Sequence, residues 1–354
     1  MISPAKTTRR NAAVALALAL ACLLLVPATG AAKPRTMYWG AWIGDQLTGE
    51  QAPWDMSAVS RFEGLVHKGL SLIEFSAPFS DCANTPCSRY PFPTAQMQSV
   101  RDYGAIPFFS WNSGASGTSD FSSHRLSDIN SGAYDAYIRE FASAAREWGH
   151  PFFLRFNWEM NGNWFPWSEG VNGNGPGEYV AAWRHVHDIF AATGATNATW
   201  VWCPYGDTQR RLAPMRQFYP GSRYVDWTCL DGFNWGQNAS NPLPWGSFAD
   251  IFHASYERVV GKIAPHKPMI LAETASSGDG KAKAAWIRGM FKQIALRYRQ
   301  IRGLIWFDQA DRDLQWQIES SAASTSAFSL GIRKHPYRAN RFGSLTGSPI
   351  QPPS

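Results

Sequence analysis

Charge is scarce in this sequence. Asp, Glu, Lys and Arg make up 17% of the 354 residues, below the roughly 25% usual for a globular chain. With 45% hydrophobic residues, that composition excludes intrinsic disorder, which needs the opposite balance. The net charge is +6, and Lys6, Arg9 and Arg10 fall within the first 32 residues, which hold no Asp or Glu. The remaining surplus is small and dispersed, too weak for a nucleic-acid-binding face. Cysteine is limited to five residues without a Cys-x-x-Cys pair. His185 and His187 are two apart on a predicted helix and do not share a face, so no metal centre of zinc type is expected. The first predicted strand ends in Trp42-Ile43-Gly44-Asp45, not in the Gly-rich turn of a dinucleotide fold. No internal repeat of a solenoid is present. What the chain has in excess is tryptophan, 17 residues, more indole than a core of this size requires.

The longest apolar run, Ala12 to Val26, is short for a membrane span. It follows the Lys6, Arg9 and Arg10 cluster and precedes the small residues Ala28 to Ala32, so residues 1–32 read as a secretory signal cleaved after Gly30 or Ala32. The expectation is an extracellular protein without stable membrane association. Four cysteines then remain in an oxidising setting. Cys82 and Cys87 suit a loop-closing disulfide. Cys203 and Cys229 lie in two strand-like segments and are either paired or buried thiols.

From residue 36 short apolar runs alternate with amphipathic stretches. Strands are predicted at 37–43, 70–76, 105–111, 152–157, 199–204, 227–234, 268–273 and 303–308. Helices are predicted at 56–68, 94–103, 132–148, 176–193, 247–264 and 281–299, with Gly69, Gly104, Gly149 and Gly194 just past helix ends. The continuous apolar strands are those of a sheet covered on both faces. Eight such βα units predict a single (β/α)8 TIM barrel over residues 33–342. The Ser/Gly/Pro-rich residues 343–354 read as a flexible tail.

Catalytic groups of such a barrel stand at the C-terminal ends of its strands. Two acids occupy that place: Glu159 after the fourth predicted strand and Glu273 at the end of the seventh. Strands four and seven face each other across the mouth of the ring, and two facing carboxylates are what glycoside hydrolysis requires. Asp308 and Asp231 are further acids at strand ends, read as structural or substrate-orienting. Trp42, Trp111, Trp158, Trp202, Trp235 and Trp306 fall near strand ends, and Trp164 and Trp167 follow Glu159 directly. An indole plate suits the apolar C–H face of a sugar ring.

The run Arg155-Phe156-Asn157-Trp158-Glu159-Met160-Asn161-Gly162-Asn163-Trp164-Phe165-Pro166-Trp167 resembles the acid/base segment of glycoside hydrolase family 26. Trp200-Val201-Trp202-Cys203-Pro204, Tyr219-Pro220-Gly221 and Ala272-Glu273-Thr274-Ala275 add to the resemblance, which spans roughly Met37 to Leu330. It implies a retaining β-glycanase with Glu159 as acid/base and Glu273 as nucleophile. Endo-β-1,4-mannanase is the commonest activity, with mixed-linkage β-glucanase, β-1,3-xylanase or a non-catalytic glycan-binding relative as alternatives. Two positions depart from the family pattern: Trp158 stands where His is usual, and Phe233 where a Tyr hydrogen-bonds the nucleophile. Arg155, Asn157 and Asn161 are expected to orient sugar hydroxyls or the carboxylates. Trp158, Trp164, Trp167, Trp202, Phe233 and Trp235 are expected to line the cleft, with Trp306 stacked under the sugar being cleaved. Retention predicts carboxyl groups about 5–5.5 Å apart. No cofactor or metal is implied, and the expected state is a monomer whose partner is a polysaccharide.

Overall fold

The computed structural model describes the chain apart from residues 3–34, 123, 207–211, 237–242 and 312–313. The secretory segment expected at 1–32 therefore lies outside the described residues. Among those described, no helix is long and apolar enough to cross a membrane.

Eight strands form a closed parallel ring: β1 (Tyr38–Ile43), β2 (Leu72–Asp81), β4 (Ile106–Ser116), β5 (Phe152–Phe156), β6 (Ala198–Trp202), β7 (Trp227–Asn234), β8 (Met269–Ser276) and β9 (Ile301–Asp308). Closure comes from β1, which pairs in parallel with both β2 and β9. A two-residue strand, β3 (Ser88–Arg89), returns antiparallel along the extended end of β2. The Cys82–Cys87 disulfide closes the loop between them. A small hairpin of β10 (Ala310–Asp311) and β11 (Leu314–Gln315) follows β9. The helices are α1 (Met56–Val66), α2 (Thr94–Tyr103), α3 (Leu126–Asn130), α4 (Asp135–Trp148), α5 (Glu178–Thr193), α6 (Phe248–Arg258), α7 (Gly280–Leu296) and α8 (Ala322–Ile332). The fold class is thus the (β/α)8 barrel that the alternation of elements predicts.

Details differ from the sequence reading. The first helix ends on His67, itself left-handed at φ 57°, rather than on Gly69. Beyond α6 the expected helix continues only as a π-turn, Val259–Ile263. Residues 349–354, expected as a flexible tail, are held against the barrel: Ile350 is buried, its N–H donates to Thr199 Oγ1 at 2.9 Å, and its carbonyl accepts from Trp227 Nε1 at 2.7 Å.

The period-two alternation of a strand explains the contents of the barrel. In β5, Phe152 and Phe156 point outward, onto Phe92 and Trp148 and onto Trp111 and Trp183. Phe153 points inward and meets Tyr38, Phe108 and Trp227, an aromatic layer that fills the lower interior. Two residues on, Arg155 points the same way and lies above that layer, its guanidinium carbon 5.7 Å from the Phe108 ring centre. The interior therefore changes from apolar to charged just below the mouth.

Candidate active site

Arg155 is fully buried and directs every donor at a partner. Nε donates to Ser110 Oγ at 2.7 Å, Nη1 to Asp231 Oδ2 at 2.8 Å, and Nη2 to Oε1 of both Glu74 and Glu273. Ser110 Oγ in turn donates to Glu74 Oε1 at 2.9 Å. Three carboxylates thus share one guanidinium, with Arg155, Glu74 and Asp231 fully buried and Glu273 at the edge of the cluster. Burial opposes the charge on Arg155, but the carboxylates of Glu74, Asp231 and Glu273 outweigh it and hold the guanidinium above its ordinary pKa. Burial raises Asp231 well above the carboxylate range despite Arg155. Burial also pushes Glu74 up to about 8, against the pull of Arg155 and Ser110 and with repulsion from Glu273. One cation cannot neutralise three anions, so a proton stays on the cluster near neutral pH.

The two glutamates reach the mouth by different routes. Glu273 lies within β8, and its N–H donates to Asp231 Oδ1 at 3.0 Å. Glu159 follows β5 by three residues in the left-handed region, φ 54°, as does Asn157 at φ 44°. Such a conformation is costly for a residue with a side chain and persists only where its surroundings fix it. Here Asn157 Oδ1 accepts from Ser113 N–H at 2.8 Å, and its amide donates to Ser113 Oγ at 2.9 Å. The Glu159 N–H donates to the Cys203 carbonyl at 2.7 Å. Trp164 folds back so that its indole N–H donates to Glu159 Oε2 at 2.6 Å. Gly162 permits the fold, since a Cβ there would stand 2.5 Å from the Trp164 ring.

Glu159 and Glu273 line one cavity of about 370 Å³. Trp158, Trp164, Phe233 and Trp235, all expected at the cleft, line it too. Phe233 carries no hydroxyl. Tyr205 supplies one beside it: the two rings stack at 24° and 6.4 Å, and the Tyr205 oxygen accepts from Trp235 Nε1 at 3.0 Å.

Other expected residues stand behind the cleft. Asn161 brackets the backbone of Tyr205, its amide donating to the Tyr205 carbonyl and its Oδ1 accepting the Tyr205 N–H. Trp167 is buried against Trp158 and Phe165, with its N–H on the Trp158 carbonyl at 2.7 Å. Arg155 and Asn157 are wholly buried and hold protein groups rather than face the cavity.

Two tryptophans are corrections. Trp202 is buried on the outer side of its strand, its N–H on the Phe218 carbonyl and its ring against Tyr219. Trp306 packs outward on Trp286 and Phe328. It does not reach the cleft because its neighbour Phe307 takes the inward position on β9, and alternate residues face opposite sides. Phe307 and Trp316 line the cleft in its place.

Tyr205, Phe307, Asp311, Trp316 and Glu74 were not singled out in the sequence. Tyr205 directly follows Cys203-Pro204 at a strand end, a legible position. Glu74 is a lone acid in the run Leu72-Ile73-Glu74-Phe75, a signal that a buried cation must meet it. Cys203 and Cys229, left open above, form a disulfide between adjacent strands.

Residues 107–300 match the family described as Glycosyl hydrolase family 26. The chain is similar to Endoglucanase H of Acetivibrio thermocellus, 31% identical over 295 residues, which cover 83% of this chain and 30% of that protein. It is similar to a mannan endo-1,4-beta-mannosidase of Bacillus subtilis, 31% identical over 129 residues, which cover 34% of this chain and 29% of that protein. The chain thus spans less than a third of the length of these curated relatives. Among solved structures, a modular endo-beta-1,4-mannanase from Cellulomonas fimi superposes with TM-score 0.62 at 16% identity, covering 87% of this chain and 74% of that one. That likeness is one of fold.

Proposed function

The chain belongs to glycosyl hydrolase family 26, and from that premise we propose that it is a secreted, retaining endo-β-glycanase. The observation that carries the reading is the pair Glu159 and Glu273 on one aromatic cavity, reached from β5 and β8 with β6 and β7 between them. Glu273 attacks the anomeric carbon as the glycosidic C–O bond breaks, and Glu159 gives its proton to the departing oxygen. Glu159 then takes a proton from water, which attacks the same carbon and releases Glu273. The Trp164 N–H on Oε2 orients the Glu159 carboxyl in the cleft. Arg155 positions Glu273 through Oε1, and the indole and phenyl faces of the cavity take the apolar faces of the sugar rings.

The first substrate reading is β-1,4-mannan, which the mannosidase relatives support. A second, β-glucan, is favoured by one observation: the 295-residue match is to a protein named an endoglucanase, while the mannosidases match over 129 and 81 residues. Neutral polymers of either kind suit a cleft richer in stacking surface than in charge. Export through residues 1–32 fits the two disulfides among the described residues.

The test is hydrolysis of galactomannan, glucomannan, mixed-linkage β-glucan and β-1,3-xylan by purified protein, with the first-formed anomer read by NMR. Retention with internal cleavage is expected. Glu159→Gln should cost about 10²–10⁴-fold on natural glycans and far less on aryl glycosides whose leaving group needs no proton. Glu273→Ala should abolish turnover on both while binding persists. First-formed product of inverted configuration, or full activity in either variant, would sink the two-glutamate reading.

A further inference from the structure

The mechanism makes no use of Lys283, although it is one of the most deeply buried charges in the molecule. It lies on α7 with no exposed surface, and burying an ammonium costs several kcal/mol unless its hydrogens are taken up. Its Nζ donates to the carbonyls of Gln315 and Gln317, the latter at 2.7 Å, and to Ser320 Oγ at 3.1 Å. It also stands 5.9 Å over the ring of Trp306.

Those acceptors belong to one short stretch of chain after β9. Between them, the Trp316 carbonyl accepts from Trp306 Nε1 at 3.1 Å, and the next N–H, that of Ile318, donates to Asp308 Oδ1 at 2.8 Å. Three successive carbonyls and the following N–H are thus each met by a buried side chain. The side chain this stretch presents to the cleft is Trp316, whose ring centre lies 5.2 Å from those of both Phe233 and Trp235. A loop needed only as a connection would be served by apolar residues, without a buried cation.

We propose that Lys283 is a positioning residue that latches the loop after β9 and so holds Trp316 as a sugar platform of the cleft. This rests on the reading that the cleft binds a glycan. Trp306 belongs to the same latch, which accounts for a strand-end tryptophan that faces away from the cavity. The titratable groups facing Lys283 are Asp308 on β9 and Glu319 on the loop. Burial lowers Lys283 to about 8, against the pull of those two carboxyls. Opening the loop would return Lys283 to water and to its ordinary 10.5, so the latched arrangement is favoured rather than released as pH passes about 8. The unfolded chain binds more protons at this lysine between about 8 and its ordinary 10.5, so its contribution to global stability rises, not falls, over that interval.

The experiment compares wild type, Lys283→Met, Trp316→Ala and the double variant on whichever β-glycan the protein hydrolyses. Lys283→Met should raise KM about tenfold with kcat within about twofold, and should add less than about twofold in the Trp316→Ala background. An unchanged KM, or an equal effect in the Trp316→Ala background, overturns the latch. If Lys283→Met does not fold, Trp306→Phe removes the bond to the Trp316 carbonyl while keeping an aromatic ring against Trp286 and Phe328, and should raise KM about two- to threefold; no rise overturns the proposal. If no glycan is hydrolysed, the functional reading fails separately. Hydrogen exchange over residues 314–320 then judges the latch: faster exchange in Lys283→Met supports it, and unchanged exchange overturns it.

Discussion

Glu74 shows how one residue sets the charge state of the cavity floor. It is fully buried beside Arg155, a cation also engaged by Asp231 and Glu273. Its Oε2 meets no hydrogen-bond donor among the described residues. Burial lifts it from the ordinary 4.5 to about 8. A carboxyl with a raised folded-state pKa is more protonated in the fold than in the unfolded chain. Its contribution to stability is therefore fullest below about 4.5 and is lost as pH climbs to about 8. This is the reverse of the usual salt-bridged acid. Glu74→Gln keeps the shape and has no such proton to lose. Urea unfolding at pH 5 and pH 8 should show the variant gaining on wild type between the two, on the order of a few kcal/mol. A constant difference would mean that Glu74 stays ionised and that another member of the cluster carries the proton.

Among the elements, β6 and β7 hold the site together. The ladder pairs Trp202 with Thr228, so Cys203 and Cys229 lie opposite one another and are joined. The Cys203 carbonyl anchors the Glu159 N–H, and Asp231, two residues past Cys229, anchors that of Glu273. The cross-link closes a loop with sequence separation 26, a constraint of roughly 3 kcal/mol on the unfolded chain. Cys203→Ala with Cys229→Ala should lower stability by about 2–4 kcal/mol and depress kcat more than it raises KM, measured by denaturant melts and steady-state kinetics. A stability loss with unaltered kcat would confine the bond to a structural role. The barrel strands were legible because each is apolar on both faces. What escaped is also physical. Helix α8, Ala322–Ile332, is not legible because its buried face carries Ser324, Ser329 and Gly331 while Leu330 is exposed, so hydrophobicity does not follow the helical period of burial. Trp306 was misplaced by one residue of parity, although its position at a strand end was right. The carboxylate pair and most of its aromatic wall were visible as strand-end residues, whereas Glu74 and Lys283 declare their partners only when distant segments meet.

On the scale of the whole molecule, chemistry and stability are divided between the two ends of the barrel. The cleft stands at the C-terminal ends of the strands, and residues 349–354 close the opposite end. They reach β6 through Thr199, β7 through Trp227 and β1 through Tyr38, whose hydroxyl donates to the Gln351 carbonyl at 2.8 Å. They reach β9 through Arg302, which donates to the Pro353 carbonyl at 3.2 Å. Composition hid this clamp, because its bonds run almost entirely through backbone groups and only Ile350 and Pro353 among its side chains are buried. The prolines that suggested disorder lower the entropy lost on docking. Burying Ile350 contributes roughly 1.5–3 kcal/mol, and each hydrogen bond adds about 1 kcal/mol. Removal of residues 348–354 should therefore lower stability by up to about 5–7 kcal/mol, less the entropy of ordering the segment, and the melting temperature with it, while kcat/KM at 25 °C stays within about twofold, as the N-terminal face of a barrel serves stability and the C-terminal face catalysis. Thermal melts and steady-state kinetics on the truncated chain decide it. Lost activity at an unchanged melting temperature would mean that the lower clamp reaches the Arg155 layer through Tyr38, Phe153 and Trp227, and that the two ends of the barrel are coupled.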